Sequence, residues 1–285
     1  MFSIVAYPQT PEWWGTLVNW DGVTHWSRYM KFSPRYMGVN ALPIPAIGNG
    51  NVDSTNWIGI TGNAHFSKGD DSQNLVVGAN YAVVRNRVSI DANWIPIEWF
   101  NMSHSIKEQQ NVYWKDYYLK RAVGDVHLNV NIQLLNSIKR HVQLALRIGY
   151  RYASSGGVGA ARMTNMPGYY FDLSTGKRFR KQSRWKWIAM VGFYVWQTND
   201  DRPRFYQNDA LLSGLGAEFN NNLFRLQSYL AGYFGYNGGG DDPVVWRLNL
   251  ERKVGGINIV LRYQQGLNDI YYSSFETGIK LNMPR

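Results

Sequence analysis

The sequence predicts an all-β chain that forms a transmembrane antiparallel up-and-down β-barrel of 12 strands, with 14 strands as the alternative. The first observation is the run from Asp125 to Arg151, in which apolar and polar residues alternate on both sides of a short turn. A period of two is typical of a strand with one apolar and one polar face. The pattern also recurs about a dozen times along the chain, and short and longer connections alternate between its repeats.

The candidate strands begin after residue 54 and account for most of the remaining chain. Alternation of side-chain character sets their limits, and clusters of Asn, Gly and other turn residues separate them. The predicted strands lie at 55–67, 74–85, 87–101, 125–136, 140–152, 168–180, 185–198, 206–221, 222–236, 243–254, 256–266 and 269–283.

The connections between these strands alternate in length. Longer connections follow the third, fifth, seventh and ninth strands, and the longest covers residues 102–124. Outer-membrane barrels have short periplasmic turns and longer outer loops, so this order favours a membrane barrel over a water-soluble sandwich. The tight turns fall at Arg85-Asn86, at residues 136–139, at Asn221-Asn222 and at Gly255-Gly256.

Composition limits the chemistry. The 285 residues contain no cysteine, which excludes disulfides, thiolate metal sites and a cysteine nucleophile. No run approaches the roughly 18 apolar residues of a membrane helix. The formal charge of +10 leaves nucleic acid, anionic lipid or an anionic solute as partner. Because no basic stripe alternates with stacking aromatics, we expect no nucleic-acid partner.

Parity along the strands predicts which side chains face lipid. Leu144, Leu146 and Ile148 belong to the outward rows. Aromatic residues at the ends of such rows are typical of a girdle at the level of the lipid headgroups. The predicted girdle consists of Tyr150, Tyr152, Trp246, Tyr263 and Tyr271 at the outer ends of their strands, and of Trp185 and Trp187 at the periplasmic ends.

On its alternation, girdles and turn order, the chain resembles bacterial outer-membrane β-barrels over roughly residues 55–283. The resemblance implies a location in the outer membrane of a Gram-negative bacterium. It also implies contact with outer-membrane lipid and lipopolysaccharide.

Residues 1–54 do not share the strand pattern. They contain Trp13, Trp14, Trp20 and Trp26, and a stretch in which Pro43 and Pro45 alternate with apolar residues. Proline lacks the N–H that a central strand donates, so we expect an irregular extension beside a barrel domain at 55–285. This extension is interpreted as a plug, a periplasmic segment or a binding segment for other outer-membrane or periplasmic proteins. The competing interpretation adds two strands here and gives 14.

The same parity predicts which side chains face the lumen. Basic side chains outnumber acidic ones among the inward positions. A two-residue turn at Asn221-Asn222 would also place Glu218 opposite Arg225, in a structural ion pair. The predicted lumen-lining residues are Asp91, Asn93, His127, Asn131, Arg147, Arg151, Arg247, Glu251, Arg262, Glu276 and Lys280.

Two interpretations of this lumen remain open. Arg147, Arg247 and Arg262 are expected near mid-height, where arginines in a pore wall would favour anions. A barrel of this size is also narrow enough for side chains to fill it. The arginines could then belong to a packed polar network with Asp91 and neighbouring carboxylates.

The sequence offers little support for catalysis. The architecture resembles outer-membrane phospholipase A, whose chemistry uses a histidine and a serine two positions apart on one strand face. Here Ser103, His104 and Ser105 are adjacent, so neighbours point to opposite faces. The other histidines are scattered without metal-ligand spacing. We therefore predict no catalytic residues, no metal and no cofactor.

Three functions follow from these patterns. The first is a narrow channel or porin for small polar or anionic solutes. The second is a non-catalytic barrel subunit of a multiprotein outer-membrane complex, with a filled lumen. The third is a soluble β-protein that binds a ligand.

Overall fold

The structure is a computed structural model that describes residues 11–137, 139–180, 182–201 and 204–283. Strands dominate it, and all but one of them are ten residues or longer. The strands are β1 (Trp57–Phe66), β2 (Asp70–Val84), β3 (Val88–Met102), β4 (Arg121–Ala122), β5 (Val126–Ser137), β6 (Val142–Tyr152), β7 (Gly168–Arg178), β8 (Trp185–Asp201), β9 (Arg204–Asn220), β10 (Phe224–Gly235), β11 (Val244–Val254), β12 (Ile257–Asn268) and β13 (Ser273–Asn282).

Twelve of these strands form a closed barrel. Each pairs antiparallel with its neighbours along the chain, and β1 pairs with β13 from Trp57 opposite Asn282 to Phe66 opposite Ser273. The two-residue β4 adds only to the end of β3. The predicted 12-stranded up-and-down barrel is therefore confirmed, and the 14-stranded alternative is wrong because residues 11–54 contribute no strand.

Helices are short in the described part of the chain. They are α1 (Pro11–Val18) and α2 (His104–Gln109), with 3-10 turns at Trp26–Tyr29, Pro34–Tyr36 and Trp114–Tyr118. None of the helices among the described residues has the length and apolar character needed to cross a membrane.

The alternation in sequence becomes an alternation of faces. In β6 the side chains of Ile148 and Tyr150 are exposed on the outside, whereas Gly149 and Arg151 are buried inside. The same holds for the exposed Trp187 and the buried Ile188 of β8. Because exposed apolar residues recur on the outside of most strands, the barrel carries the lipid-facing belt that such strands require.

The two ends of the barrel differ in their connections. Short turns join β2 to β3, β5 to β6, β7 to β8, β9 to β10 and β11 to β12, and we call this the turn end. Left-handed backbone at Asn86 and Gly255, with φ of 58° and 60°, allows two of these turns to be tight. The opposite, loop end carries the long connections. In outer-membrane barrels the turn end faces the periplasm.

Some strands extend further toward the loop end than the alternation predicts. β8 ends at Asp201 and β9 begins at Arg204, so the connection between them is short rather than long. β2 begins at Asp70 rather than at residue 74. Above the lipid belt both strand faces are polar, so the ladder continues where the period-two signal ends.

A bulge accommodates proline within β3. Between paired Leu75 and Val77 of β2, the partners on β3 shift from Ile97 to Trp94. Pro96 therefore lies in the bulge, where its missing N–H is not needed by the ladder. A second bulge in β5 leaves both Leu134 and Leu135 exposed on the outside, so the outward row predicted there shifts by one residue.

Candidate functional site

Residues 38–52, which we call the lumen segment, run through the interior of the barrel from the loop end to the turn end. Near the loop end, Asn40 Nδ2 donates to Glu98 Oε2 at 2.7 Å. Near the turn end, the amide of Val52 donates to Gln133 Oε1 at 3.0 Å. The lumen segment thus makes its contacts inside the barrel rather than beyond the turn end.

Side chains of the wall hydrogen-bond to the backbone of the lumen segment. Pro43 and Pro45 have no N–H, and the segment pairs with no strand, so its carbonyl groups need other donors. Arginine and tyrosine supply them. Arg147 Nη2 donates to Ala46 O at 2.8 Å, Arg247 Nη2 to Ile44 O at 2.9 Å, Tyr233 Oη to Leu42 O at 3.0 Å and Arg151 Nη1 to Ala41 O.

One half of the lumen is packed with apolar side chains. Leu42 and Ile44 of the lumen segment are 1% and 3% exposed. Their neighbours in one continuous core are inward residues of β8 to β10, which makes this half solid. The main wall residues of this core are Ile188, Met190, Tyr194, Trp196, Leu212, Tyr229 and Tyr233.

The other half of the lumen contains a cavity of about 490 Å³ whose lining combines charged and polar side chains with apolar ones. It follows β1 from Trp57 near the turn end to His65 near the loop end, with the lumen segment on its opposite side. The charged side chains among the described lining residues are Arg147, Arg151, Arg247, Arg262 and Lys280 against Asp91 and Glu276. Five cations against two carboxylates give the cavity wall an excess of positive charge.

Nine of the eleven residues that the sequence places in the lumen line this cavity. The other two are Asn131 and Glu251. Asn131 Nδ2 donates to Asp91 Oδ2 at 2.7 Å, and Glu251 contacts Arg225 and Lys280. These two residues thus hold neighbouring charged groups in place.

The lumen charges are largely paired. Arg147 Nε lies 2.7 Å from Asp172 Oδ2, and Asp172 is fully buried. Arg262 Nη1 lies 2.7 Å from Glu276 Oε1, with both side chains more open to the cavity. Arg151 and Arg247 differ, because neither contacts a carboxylate of the described residues. The Arg151 guanidinium is 2% exposed and contacts Ala41 O and Tyr194 Oη, and Arg247 contacts Gln264 Oε1 and Ile44 O.

The expected ion pair between Glu218 and Arg225 is wrong. The side chain of Asn221 accepts hydrogen bonds from the amides of Leu223 and Phe224, both at 2.8 Å, which lengthens the turn. Arg225 then lies opposite Asn220 rather than Glu218. Arg225 instead pairs with Glu251, whereas Glu218 Oε2 accepts from Asn49 Nδ2 at 2.8 Å and from Gln227 Nε2 at 2.9 Å.

Two buried polar clusters lie inside the barrel near the loop end, and sequence reasoning missed the one around Arg162. In one, His65 is hydrogen-bonded to Ser274 Oγ and to Asn74 Oδ1, each at 2.7 Å. In the other, Arg162 of the loop between β6 and β7 enters the barrel. Its guanidinium bridges Asp70 Oδ2 and Glu98 Oε1 at 2.7 Å.

No signal in the sequence marks Arg162 as inward-facing, because it lies in a loop without periodicity. The apolar wall of β8 does carry a signal. Ile188 and Met190 alternate with Ala189 and Val191, so this strand is apolar on both faces. A strand apolar on both faces indicates that both are covered, here by lipid and by the lumen segment.

Residues 11–37, which we call the cap, lie over the loop end. Trp14 is fully buried among Trp20, Tyr29 and Tyr113, with ring centroids 5.1 to 6.0 Å apart. The backbone amide of Arg35 donates to Gly240 O at 3.1 Å, which ties the cap to the loop between β10 and β11. The tryptophans therefore pack against the long loops rather than under the barrel.

One exposed turn of the cap contains a carboxylate with a shifted pKa. Asp21 accepts hydrogen bonds from the Thr24 hydroxyl and from the amides of Val23 and Thr24. The Thr24 side chain is the largest cause, followed by the two amides, and together they lower the pKa of Asp21 from 3.8 to about 2.

The Ser103-His104-Ser105 stretch has a structural role here. Ser103 Oγ accepts from the amide of Ile106 at 3.4 Å and so caps the N-terminus of α2. The His104 ring stacks on Tyr117 at 5.5 Å. Nearby, burial raises the pKa of Asp116. Within the described residues, no group of three or more His, Asp or Glu is arranged to hold a metal ion.

The aromatic residues assigned to the girdle lie on the outside of the barrel. Trp185 and Trp187 are exposed near the turn end. Tyr150, Tyr152 and Tyr271 are exposed toward the loop end. The remaining two contact each other, with the rings of Trp246 and Tyr263 packed edge to face at 5.8 Å.

Comparison with known proteins supports the fold. The chain is similar to the crystal structure of an outer membrane channel from Pseudomonas putida F1, with a TM-score of 0.59 and 11% identity over 84% of this chain and 100% of that one. It is also similar to the NanC porin, with a TM-score of 0.53 and 11% identity over 79% of this chain and 100% of that one. No protein-family model and no curated protein matches.

At such low identity the likeness shows the fold alone. The closed wall, the apolar belt and these two structures agree on the same architecture. The sequence-based assignment to bacterial outer-membrane β-barrels is therefore confirmed, and the chain has the fold of a protein of the bacterial outer membrane.

Proposed function

We propose that the protein is a narrow outer-membrane channel that passes small anionic solutes along the polar half of its lumen. The observation that carries the proposal is the cavity along β1, which follows nearly the whole length of that strand. Its described lining has five cations and two carboxylates. Asp172 and Glu251 behind the lining pair with Arg147 and Lys280, but Arg151 and Arg247 have no carboxylate partner among the described residues, and this excess favours anions. The two similar solved structures are a channel and a porin, which agrees with this function.

In this proposal the N-terminal extension, residues 1–54, supplies the plug through the lumen segment and the cap through residues 11–37, and the described strands of the domain at 55–285 form the wall. The lumen segment narrows the passage, so solutes move between it and β1, β12 and β13. Arg262 and Lys280 of that wall face the cavity and would meet the passing anion. Contact with lipopolysaccharide at the loop end belongs to the same proposal.

Single-channel recording in planar bilayers with a salt gradient tests the channel. We expect a small conductance with a reversal potential that indicates anion preference. Because the chain has no cysteine, Thr61→Cys places one thiol on the cavity side of β1. A bulky thiol reagent should block the current of this variant.

Ile60→Cys is the matched control, since Ile60 is the neighbouring residue and is exposed on the lipid-facing side. The same reagent should leave its current unchanged. A folded wild-type barrel without conductance would contradict the proposal, and so would a full current after labelling at Thr61.

The second candidate is a non-catalytic barrel subunit with a filled lumen. The solid core between the lumen segment and β8 to β10 favours it, because no solute can pass through that half. The cap would then offer a binding surface to other outer-membrane or periplasmic proteins. Purification in mild detergent separates the two candidates: a partner that remains bound to a non-conducting barrel would support the subunit.

A further inference from the structure

The turn end of the barrel gathers basic side chains from four connections that are far apart in sequence. We call the set the basic rim. Every member is exposed to solvent. Its described members are Arg85 and Arg87 between β2 and β3, Lys139 and Arg140 between β5 and β6, Lys177, Arg178, Arg180 and Arg184 around the connection of β7 and β8, and Arg252 and Lys253 at the end of β11.

The charge of the basic rim is not balanced by neighbouring carboxylates. None of its ten described members has an ion-pair partner among the described residues. Asp53 is the one exposed carboxylate among the described residues at this end. The loop end, by contrast, carries many acidic residues, including Asp71, Glu108, Asp209 and Asp242. Of the two ends of the barrel, the turn end therefore carries the excess positive charge.

Part of the basic rim continues the lipid-facing rows. Lys177 lies opposite the exposed Trp187. Arg252 lies between Phe224 and the exposed Ile259 on the neighbouring strands. Their positions on the outer face, at the edge of the apolar belt, are at the level that lipid headgroups occupy.

We propose that the basic rim binds the phosphate groups of anionic phospholipids in the leaflet that faces the turn end. Lysine and arginine side chains near a membrane surface are attracted to anionic headgroups, and the attraction adds over several residues. The rim follows the circumference of the barrel at one height, which matches a membrane surface better than it matches a compact ligand. This inference does not depend on whether the barrel conducts.

The test uses the full chain in phosphatidylcholine vesicles that contain a trace of spin-labelled lipid. Electron spin resonance gives the affinity of the protein for phosphatidylglycerol relative to phosphatidylcholine. We expect about a threefold preference for phosphatidylglycerol at 0.1 M salt, which should fall to nearly one at 1 M salt because the Debye length shrinks from about 10 Å to about 3 Å. No preference in the wild type, or one that is insensitive to salt, would overturn the proposal.

A triple variant locates the effect. Arg85→Gln, Lys177→Gln and Arg252→Gln together remove three exposed charges of the basic rim and should lower the preference to nearly one. The matched control, Lys68→Gln with Lys120→Gln and Arg121→Gln, removes three exposed charges at the loop end and should keep it. Both leaflets carry the same lipids, so protein orientation does not affect the result. A preference that survives in the folded triple variant, or disappears equally in the control, would contradict the proposal.

Discussion

Among single residues, the lumen arginines differ in what surrounds them. Arg147 combines a buried carboxylate, Asp172, with a carbonyl of the lumen segment. Arg262 has a carboxylate partner, Glu276, in a more open setting. Removing one partner from a buried pair leaves an uncompensated charge, whereas an open pair is screened. These two arginines should therefore respond differently to loss of their partners.

We expect Asp172→Asn to lower the free energy of unfolding by about 3 kcal/mol, because it leaves the Arg147 guanidinium buried without a counter-charge. Glu276→Gln, the matched substitution at the open pair, should cost less than about 1 kcal/mol. Urea titration of the barrel in phosphatidylcholine vesicles measures both. Equal losses would show that burial does not distinguish the two pairs.

A glycine makes room for a tyrosine in the same region. A Cβ at Gly149 would lie 2.3 Å from the Tyr170 ring, whose hydroxyl donates to Asn129 Oδ1 at 2.6 Å. We expect Gly149→Ala to destabilise the fold by about 1 to 3 kcal/mol, because Tyr170 must move. Gly239→Ala is the control, since nothing lies within 4 Å of its Cβ. The same urea titration should show a change below about 0.5 kcal/mol for the control.

At the scale of elements, the cap and the lumen segment are held in different ways. The exposed turn of the cap at residues 21–24 depends on local hydrogen bonds to one carboxylate. The lumen segment depends on apolar packing and on donors from the wall. The cap turn should therefore respond to pH and the lumen segment to changes in side-chain volume and polarity.

The turn at Asp21 should lose stability in acid. Its folded pKa of about 2 lies below the ordinary 3.8, so the stabilisation is present above about pH 4 and is lost as the pH falls through 2. The amide chemical shift of Val23, followed by NMR, should titrate with a midpoint near 2. Thr24→Val removes the hydroxyl hydrogen bond that lowers the pKa of Asp21 most, so it should move the midpoint upward. Asp21→Asn should abolish the titration. A wild-type midpoint near 3.8 would contradict this account.

Loosening the lumen segment should widen the passage. Leu42→Asp with Ile44→Asp places two charges in the apolar core, where unpaired carboxylates are strongly disfavoured. We expect the segment to leave its packed position against β8 to β10 and the conductance to rise severalfold. Leu17→Asp, on the exposed face of α1, is the control and should leave the current as it is. An unaltered current in a folded double variant would show that the segment does not limit passage.

For the whole molecule, the seam between β1 and β13 turns a sheet into a closed wall. Ile60 lies directly opposite Ile279 across this seam, with both side chains outside. We expect Ile60→Cys with Ile279→Cys to form a disulfide under mild oxidation, detected by mass spectrometry of peptides. The control pair is Ile60→Cys with Leu261→Cys. Leu261 lies on β12, one strand beyond β13, so this pair should not form a disulfide. A disulfide in the control pair and none between Ile60→Cys and Ile279→Cys would contradict the pairing of β1 with β13 that closes the barrel.

The sequence predicts the fold well within the lipid belt and less well outside it. Leu144 and Arg147 fall on the expected faces because lipid imposes a period of two. The loop-end parts of β2, β8 and β9 have no such constraint, so their limits were missed. The register of Glu218 depended on a turn that the Asn221 side chain lengthens. The fully buried Arg162 lies in a loop and shows its partners only in three dimensions.

The sequence left three interpretations open for residues 1–54: a plug, a periplasmic segment or a binding segment. The lumen segment corresponds to the first of them. Its role as partner for Arg147, Arg151 and Arg247 could not be predicted, because backbone carbonyls carry no sequence signal. Neither interpretation of the lumen was complete. One half is a packed core and the other is a polar cavity.

The path of the lumen segment has a consequence for the order of assembly. The chain passes from the cap at the loop end through the interior and only then begins β1 at the turn end. Once the seam between β1 and β13 is made, reaching this arrangement would require drawing the aromatic cluster around Trp14 through the narrow lumen. We therefore expect the segment to be enclosed before the seam closes, so that the last strand pairing of the barrel wraps a chain already in place.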